Sequence, residues 1–169
     1  MHVARTLIPR EQIAERIAVV GADITESLRT LSAGEANPRV VLVPILTGAL
    51  VFTADLIRHV PVQMSIRPVT ISRYPGPATS SQGANIHGAV PTDLAGAHVI
   101  LVDDILDSGR TLGLLRRVIE AQRPASVQLA VLLRKNKPGG REEHVEVEFV
   151  GFDIEDEFVI GYGLDYDGY

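Results

Sequence analysis

Apolar residues recur along the chain in two spacings, and the change between them predicts the order of helices and strands. From about Arg10 to Leu31 apolar residues return every three or four positions, which is the spacing of an amphipathic helix. Residues 40–46, with the sequence VVLVPIL, form an unbroken apolar run that is typical of a strand buried on both faces. The segments that follow predict a helix over Gly48–His59 and a strand over Val62–Ser72.

The second half of the chain alternates strands and helices again. Its predicted elements are a strand at His98–Val102, a helix from about Gly109 to Arg123, a strand at Ser126–Leu133, a polar turn at Arg134–Arg141, a strand at Val145–Phe152 and a last apolar segment at Phe158–Tyr162. This alternation predicts an α/β fold with a mostly parallel central sheet and helices on both faces. The length of 169 residues fits a single domain over residues 1–169.

Composition and charge argue against several classes of protein. The formal net charge is −5, and acidic residues are spread along the chain, which argues against a nucleic-acid binder. The absence of cysteine excludes disulfides, thiolate nucleophiles and cysteine metal sites. The N-terminus has no apolar signal-peptide core, and the longest apolar run, from Val40 to Phe52, is too short to span a bilayer. We therefore expect a cytoplasmic protein that binds neither nucleic acid nor membrane.

Acidic and hydroxyl residues concentrate where the strand His98–Val102 ends. In chain order they are Asp103, Asp104, Asp107, Ser108, Gly109, Arg110 and Thr111. A glycine-containing turn at a helix N-terminus offers N–H groups and the positive end of the helix dipole to a phosphate. Adjacent carboxylates can accept hydrogen bonds from the vicinal hydroxyls of a ribose, or hold Mg²⁺. A bound sugar phosphate would satisfy all these groups, whereas ordinary turn and helix-capping chemistry is the alternative.

Two common nucleotide-binding motifs are missing from this segment. It contains no G-x-x-x-x-G-K-[ST], so kinase or ATPase chemistry is not indicated. It contains no G-x-G-x-x-G either, which makes dinucleotide binding a poor interpretation.

The segment resembles the signature with which type I phosphoribosyltransferases bind phosphoribosyl pyrophosphate (PRPP). The match consists of two acids after an apolar strand, a short loop and the pattern [ST]-G-x-T. The likeness is strongest to the hypoxanthine/guanine branch and covers nearly the whole chain, with further matches over Val150–Tyr166 and, more weakly, Ile8–Ile17. It implies the type I phosphoribosyltransferase fold with a small hood from the terminal segments. It also implies purine salvage, in which PRPP and hypoxanthine or guanine give IMP or GMP and pyrophosphate.

The same resemblance implies roles for the acids and the phosphate loop. Asp107 matches the residue that handles the purine N7 proton, with a helix N-cap as the alternative. Asp103 and Asp104 match positions that meet the ribose diol and Mg²⁺ with its waters, although the family more often has Glu at the first. The loop of Ser108, Gly109, Arg110 and Thr111 matches the 5′-phosphate site.

A second loop matches the pyrophosphate site of the family. It consists of Leu46, Thr47 and Gly48, with a plain strand–helix turn as the alternative. The resemblance implies a strained peptide bond there that frees an amide for pyrophosphate. Family members often carry Lys or Arg where this chain has Thr47. They also continue past the Leu-Asp-Tyr motif with an Arg that grips pyrophosphate, whereas this sequence stops at Tyr169. Either the sequence is truncated or pyrophosphate is held in another way.

Five further residues match the family's purine and metal contacts. Lys135 matches the lysine that donates to the purine 6-oxo group, which would favour hypoxanthine or guanine over adenine; a solvated basic turn is the alternative. Phe158 matches the ring that stacks on the purine, with a core position as the alternative. Val159 would contribute backbone groups to the base edge while its side chain packs. Ile105 would lie against the other purine face or fill the loop. Asp165 matches a residue near a second Mg²⁺, with a capped turn as the alternative.

The Gly-, Pro- and Ser-rich loop of residues 73–90 corresponds to the family's mobile lid, and a solvated linker is the alternative. The family usually has Ser directly before Tyr there, whereas Arg73 separates Ser72 from Tyr74 in this chain. The resemblance further suggests a homodimer or a homotetramer.

Two other functions stay open at this point. One is a regulator of the same fold that senses PRPP or nucleotides and binds RNA or DNA, against which the acidic charge and Asp107 argue. The other is a phosphoribosyltransferase for xanthine or a pyrimidine, since one fold hosts many functions. Lys135 and the Phe158 segment argue against a pyrimidine but hardly against xanthine.

Overall fold

A computed structural model of the chain describes residues 5–71 and 90–164. The elements, in order, are α1 (Arg10–Leu31), β1 (Val40–Leu46), α2 (Ala49–Leu56) with a 3-10 turn (Ile57–His59), β2 (Met64–Ile66), β3 (Val69–Thr70), β4 (His98–Leu106), α3 (Arg110–Glu120), β5 (Ser126–Asn136) and β6 (Phe149–Glu155). The strands form one parallel sheet in the order β2-β1-β4-β5-β6, and β3 pairs with the end of β1. The predicted α/β class with a mostly parallel sheet is confirmed.

Two apolar clusters lie on opposite faces of the sheet. Side chains alternate along β1, so Val40 and Leu42 join one cluster while Val41 and Val43 join the other. The first cluster holds the buried faces of α1 and α2, and the second holds that of α3. The predicted covering of both faces by helices is therefore confirmed, and it explains why β1 is apolar without interruption.

Two strands extend further toward their carboxyl ends than their apolar runs predict. β4 continues through Asp103 to Leu106, and β5 continues to Asn136, so Lys135 lies in a strand and the predicted turn at Arg134–Arg141 is wrong over its first three residues. Backbone pairing between β4 and β5 continues to the pair Leu106–Arg134. This pairing does not depend on whether the side chains are polar, so the strands extend past their apolar runs. The polar residues at these strand ends therefore lie at the carboxyl edge of the sheet, which is where ligands bind in open parallel sheets.

Other boundaries differ from the predicted ones in smaller ways. The last strand is Phe149–Glu155 and not Val145–Phe152, because its pairing with β5 begins only at Phe149. The predicted strand over Val62–Ser72 is divided into β2 and β3, which both pair with β1. Of the predicted lid, only residue 90 is described, and Tyr74 lies outside the described residues.

The segments near the two chain ends contact each other, and the C-terminal one also contacts α2, as the predicted hood requires. Arg5 donates to both carboxylate oxygens of Glu157 at 3.0 Å. The Tyr162 hydroxyl donates to Asp55 Oδ2 of α2 at 2.5 Å. Among the helices of residues 5–71 and 90–164, none combines the length and the apolar character needed to cross a membrane.

The Tyr162 contact predicts how stability depends on alkaline pH. Burial, together with the hydrogen bond to Asp55, raises the pKa of Tyr162 well above its ordinary value. Folding therefore favours the neutral phenol, and this contribution is present below the unfolded pKa of about 10 and is lost as pH rises above it. We expect Tyr162→Phe to lose about 1 kcal/mol at pH 7 and to flatten the decline of stability above about pH 10, measured by urea unfolding. Parallel declines in both proteins would contradict this.

Candidate active site

Three neighbouring strands end at the same edge of the sheet and place the predicted site residues there. Leu46, Thr47 and Gly48 link β1 to α2, and residues 107–109 link β4 to α3. Lys135 lies near the end of β5, which pairs with β4. In open parallel sheets ligands bind beyond the carboxyl ends of the strands. The fold thus brings together residues that the sequence separates widely.

The loop after β4 encloses an open cavity with an empty volume of about 210 Å³, including space open to solvent. Its lining residues are Asp103, Ile105, Leu106, Asp107, Ser108, Gly109, Thr111 and Leu112. Gly109 precedes α3 with φ +84°, and a Cβ there would overlap the backbone carbonyl of Glu143. Only glycine suits this position, and the loop lies at the N-terminus of α3, where free N–H groups and the helix dipole favour an anion.

Two glutamates hold this loop and its helix from outside. The Glu143 N–H donates to the Ser108 carbonyl at 3.1 Å, and the Glu143 carboxylate forms an ion pair with Arg117. Arg110 forms an ion pair with Glu142 and does not line the cavity described above. A phosphate in the cavity would therefore meet mainly backbone N–H groups and the hydroxyls of Ser108 and Thr111.

The two adjacent acids face different surroundings. Asp103 is buried, and its Oδ1 accepts a hydrogen bond from the Asp104 N–H at 3.1 Å. The Asp104 carboxylate lies against Gly48, where an added Cβ would overlap it. The Leu46–Thr47 peptide bond is cis. Glycine at position 48 is what lets the predicted pyrophosphate loop approach the acids this closely.

The donor set at this edge suits Mg²⁺ in part. In the part of the chain that the structure describes, no group of three or more His, Asp or Glu side chains could hold a metal by itself. Mg²⁺ usually binds through one or two carboxylates, several waters and the phosphates of its substrate. Asp103 and Asp104 fit that mode, because they are hard oxygen donors beside a predicted phosphate site. Asp165 lies outside the described residues.

Two lysines and two aspartates form a charged cluster at the ends of β4, β5 and β6. Lys137 Nζ lies 2.6 Å from Asp107 Oδ1 and 2.9 Å from Asp156 Oδ1. Lys135 Nζ lies 3.4 Å from Asp156 Oδ1 and 3.7 Å from Asp107 Oδ2. Hydrogen bonds to Asp107 and Asp156 raise the pKa of Lys137, and the bond from Lys137 lowers the pKa of Asp156.

Lys137 and Asp156 are residues of this site that sequence reasoning missed. The family resemblance points to Lys135 and assigns no role to Lys137. One signal was available, since Lys135 and Lys137 are the only lysines among the 16 basic Lys and Arg residues of the chain. Asp156 carried no signal without knowledge of which strand lies beside β5.

The residues predicted to contact a purine differ in burial. The Phe158 side chain is exposed, with 74% of its surface accessible, so the alternative of a core phenylalanine is wrong. Val159 and Ile105 are partly buried and pack against the first apolar cluster. The exposed Phe158 ring is available to cover one face of a planar base.

Comparison with known proteins identifies the family. The family model of the phosphoribosyl transferase domain matches residues 11–167. The chain belongs to this family. Two related phosphoribosyltransferases are the hypoxanthine-guanine phosphoribosyltransferase of Mycobacterium avium (39% identical, covering 98% of this chain and 80% of the relative) and the hypoxanthine phosphoribosyltransferase of Escherichia coli K12 (38% identical, 98% and 89%).

Solved structures of phosphoribosyltransferases share the fold. The crystal structure of the hypoxanthine phosphoribosyltransferase of Trypanosoma cruzi superposes with a TM-score of 0.84 at 31% identity, covering 98% of this chain and 90% of that one. A hypoxanthine-guanine phosphoribosyltransferase of Bacillus anthracis gives a TM-score of 0.81 at 31% identity, covering 98% and 90%. The predicted resemblance to the hypoxanthine/guanine branch and the type I fold are confirmed.

Proposed function

We propose that this phosphoribosyltransferase transfers the 5-phosphoribosyl group of PRPP to N9 of hypoxanthine or guanine, giving IMP or GMP and pyrophosphate. The observation that carries the proposal is the closeness of a carboxylate and an ammonium group at the end of β4 and β5. Asp107 Oδ2 and Lys135 Nζ lie 3.7 Å apart, beside the cavity of the phosphate loop. A 6-oxopurine presents O6 and N7 at neighbouring positions of one edge.

This pairing of an ammonium and a carboxylate group favours a 6-oxopurine over adenine. Lys135 can donate to O6 while Asp107 accepts the proton of N7, since both groups face the same edge. Adenine has an amino donor in place of O6, and Lys135 would meet it donor to donor. The exposed Phe158 ring then stacks on the base, with Val159 and Ile105 as apolar neighbours. These roles for Lys135, Phe158, Val159 and Ile105 are part of the proposal.

The ribose phosphate end has its own set of groups. The 5′-phosphate would lie on Ser108, Gly109, Thr111 and the N–H of Arg110, at the N-terminus of α3. Asp103 and Asp104 would receive the ribose diol, and the Leu46–Gly48 loop would hold pyrophosphate beside Asp104. Asp103 and Asp104 would hold Mg²⁺, which would neutralise charge on the leaving pyrophosphate, and Asp165 would lie near a second Mg²⁺ in the family pattern.

The proposed reaction is a substitution at C1 of the ribose. N9 donates its electron pair to C1, the bond from C1 to the pyrophosphate oxygen breaks, and the electrons of that bond leave with pyrophosphate. The base also loses the proton of N7, which the Asp107 carboxylate accepts. The acids around the ribose stabilise positive charge that develops on the sugar in the transition state.

A product assay tests the proposal directly. The purified chain is incubated with PRPP, Mg²⁺ and hypoxanthine, guanine, xanthine, adenine or uracil in turn, and nucleotides are separated by chromatography. We expect IMP and GMP with hypoxanthine and guanine and little product with adenine. Product only with xanthine or uracil would overturn the choice of base, and no product with any base would overturn the proposed activity.

Removing the Phe158 ring should weaken binding of the base selectively. Stacking of a base on an aromatic ring is worth about 1–3 kcal/mol by alanine substitution, so we expect the KM for hypoxanthine to rise about 5- to 150-fold in Phe158→Ala. The KM for PRPP should stay unchanged, because the phosphate loop lies elsewhere. The matched control is Val19→Ala, because it truncates an exposed apolar side chain elsewhere in the protein, on α1. An equal rise in both KM values would show that Phe158 does not stack on the base.

We also propose a cytoplasmic homodimer or homotetramer. Support comes from the family resemblance, and a Trypanosoma cruzi relative was studied for the role of its C-terminal region in oligomeric state and enzymatic activity. Light scattering of the purified chain measures its mass in solution, and a monomer at micromolar concentration would contradict this.

A further inference from the structure

Lys137 is placed at the site without a role in the function proposed above. Lysine is rare in this chain. Of the 16 Lys and Arg residues, only Lys135 and Lys137 are lysines, and all the others are arginines. Both ammonium groups lie within 4 Å of the same two carboxylates, Asp107 and Asp156. An ammonium group is a compact charge with three donors, which suits a narrow position between two carboxylates better than a planar guanidinium does.

The strand order places Lys137 between its two acids. Asp107, Lys137 and Asp156 each directly follow the last residue of β4, β5 and β6, and these strands are neighbours in that order. Lys137 Nζ donates to both oxygens of Asp156, at 2.9 and 3.0 Å, and lies 2.6 Å from Asp107 Oδ1. The Lys137 side chain is 24% exposed, so solvent screens this contact less than it would a fully exposed pair.

The two oxygens of Asp107 have different neighbours. Oδ1 meets Lys137 within hydrogen-bond distance, whereas Oδ2 lies 3.7 Å from Lys135 Nζ, which is too long for a hydrogen bond. Lys137 therefore fixes one oxygen of the carboxylate, and the other oxygen and Lys135 stay beside the space where a base would bind. In acid–base sites the base is commonly oriented by a third group in this way.

We propose that Lys137 is a positioning residue, which fixes the Asp107 carboxylate for proton transfer from the purine and is itself anchored by Asp156. This inference rests on the function proposed above. The charges support it, because the hydrogen bonds to Asp107 and Asp156 raise the pKa of Lys137 and so keep its ammonium protonated. The groups that face the ammonium come from three strand ends: Asp107, Lys135 and Asp156.

The first test removes the ammonium and keeps most of the side-chain bulk. We expect Lys137→Met to lower kcat with hypoxanthine about 10- to 100-fold, since small misplacements of a reacting group cost up to about 10²-fold. The KM for PRPP should not change, and Lys137→Arg should recover part of kcat. Arg134→Met is the matched control, because it breaks another ion pair between β5 and β6, that of Arg134 with Asp153 at 2.6 Å, which does not face Asp107. That control should keep the wild-type kcat.

The second test asks whether Asp156 acts through Lys137. We expect Asp156→Asn to lower kcat by itself, and to lower it by a smaller factor when Lys137 is already Met, where only the contact of Asp156 with Lys135 is left to lose. Residues that act as one unit give such non-additive losses, whereas independent structural effects add. Additive losses in kcat would overturn the anchoring by Asp156, and thermal unfolding of each variant separates loss of folding from loss of rate.

A third measurement tests the contact without turnover. Selective labelling of lysine with ¹³C gives two side-chain signals in the NMR spectrum, because the chain has two lysines. We expect Asp107→Asn and Asp156→Asn to shift the Lys137 signal, which Lys137→Met assigns by its loss. An unmoved Lys137 signal in Asp107→Asn overturns the inference even if the product assay succeeds. If the wild type is active and Lys137→Met has the same or a higher kcat, the positioning role of Lys137 is also overturned. If the wild type is inactive, the proposed function is overturned, while the contact between Lys137 and Asp107 can still be measured by NMR.

Discussion

Asp107→Asn is expected to lower kcat with hypoxanthine about 10²–10⁴-fold, which is the usual contribution of general acid–base catalysis. The substitution keeps the shape of the side chain and removes its ability to accept a proton. The phosphate loop should persist, because Gly109 and the contact of Glu143 with Ser108 do not depend on the Asp107 carboxylate. The KM for PRPP should therefore change little, while the chemical step slows.

Steady-state kinetics with calorimetry of PRPP binding measures both quantities. The variant leaves Lys135 and Lys137 with one carboxylate partner, Asp156, so its thermal unfolding must be recorded beside that of the wild type. Glu120→Gln is a suitable control, since it neutralises an exposed carboxylate that pairs with Arg116 at the end of α3. A wild-type kcat in folded Asp107→Asn would remove Asp107 from the chemistry and leave it only its ion pairs with Lys135 and Lys137, since the N-cap of α3 is Gly109 with no side-chain capping bond.

Gly48→Ala is expected to raise the KM for PRPP about 10²-fold without unfolding the chain. The backbone at Gly48 has φ −56° and ψ −42°, which alanine adopts without strain, so local conformation does not oppose the change. The new methyl group would overlap the Asp104 carboxylate and displace it. The proposed ribose and Mg²⁺ contacts would then be misplaced.

Measurement of KM at several Mg²⁺ concentrations, with thermal unfolding, tests this expectation. Leu50→Ala is the matched control, because it alters a side chain two residues away that is exposed to solvent, and it should keep the wild-type KM. If Gly48→Ala binds PRPP as the wild type does, the Asp104 carboxylate does not contact the ligand from its present position. If the melting temperature falls in Gly48→Ala but not in Leu50→Ala, the close contact between Gly48 and Asp104 contributes to the stability of the fold.

Much of the fold was predictable from local patterns. The helical spacing before residue 31 predicted α1, and the apolar run predicted β1 with its observed bounds, Val40–Leu46. The two acids after an apolar strand, with Gly109 before a helix, indicated the phosphate loop. These features are readable because each depends on a few consecutive residues whose spacing, backbone preference or charge is fixed by their own chemistry.

The positions of the strand ends were less predictable. Polar residues such as Asp103 and Lys135 ended the apolar runs, so the sequence predicted turns where the strands continue. Pairing of the backbone with the neighbouring strand decides where a strand ends, and a single sequence does not state which strand is the neighbour.

The alternation of helices and strands, the α/β class and the family resemblance are all readable from the order of amino acids. Three features become visible only in the folded chain: Lys137 lies between Asp107 and Asp156, Gly48 meets Asp104, and the Phe158 ring is exposed. Local spacing and backbone preference act between neighbours in the chain, so they say nothing about such distant pairs. Contacts across β1, β4, β5 and β6 arise only when the order and register of the strands bring distant residues to one edge of the sheet.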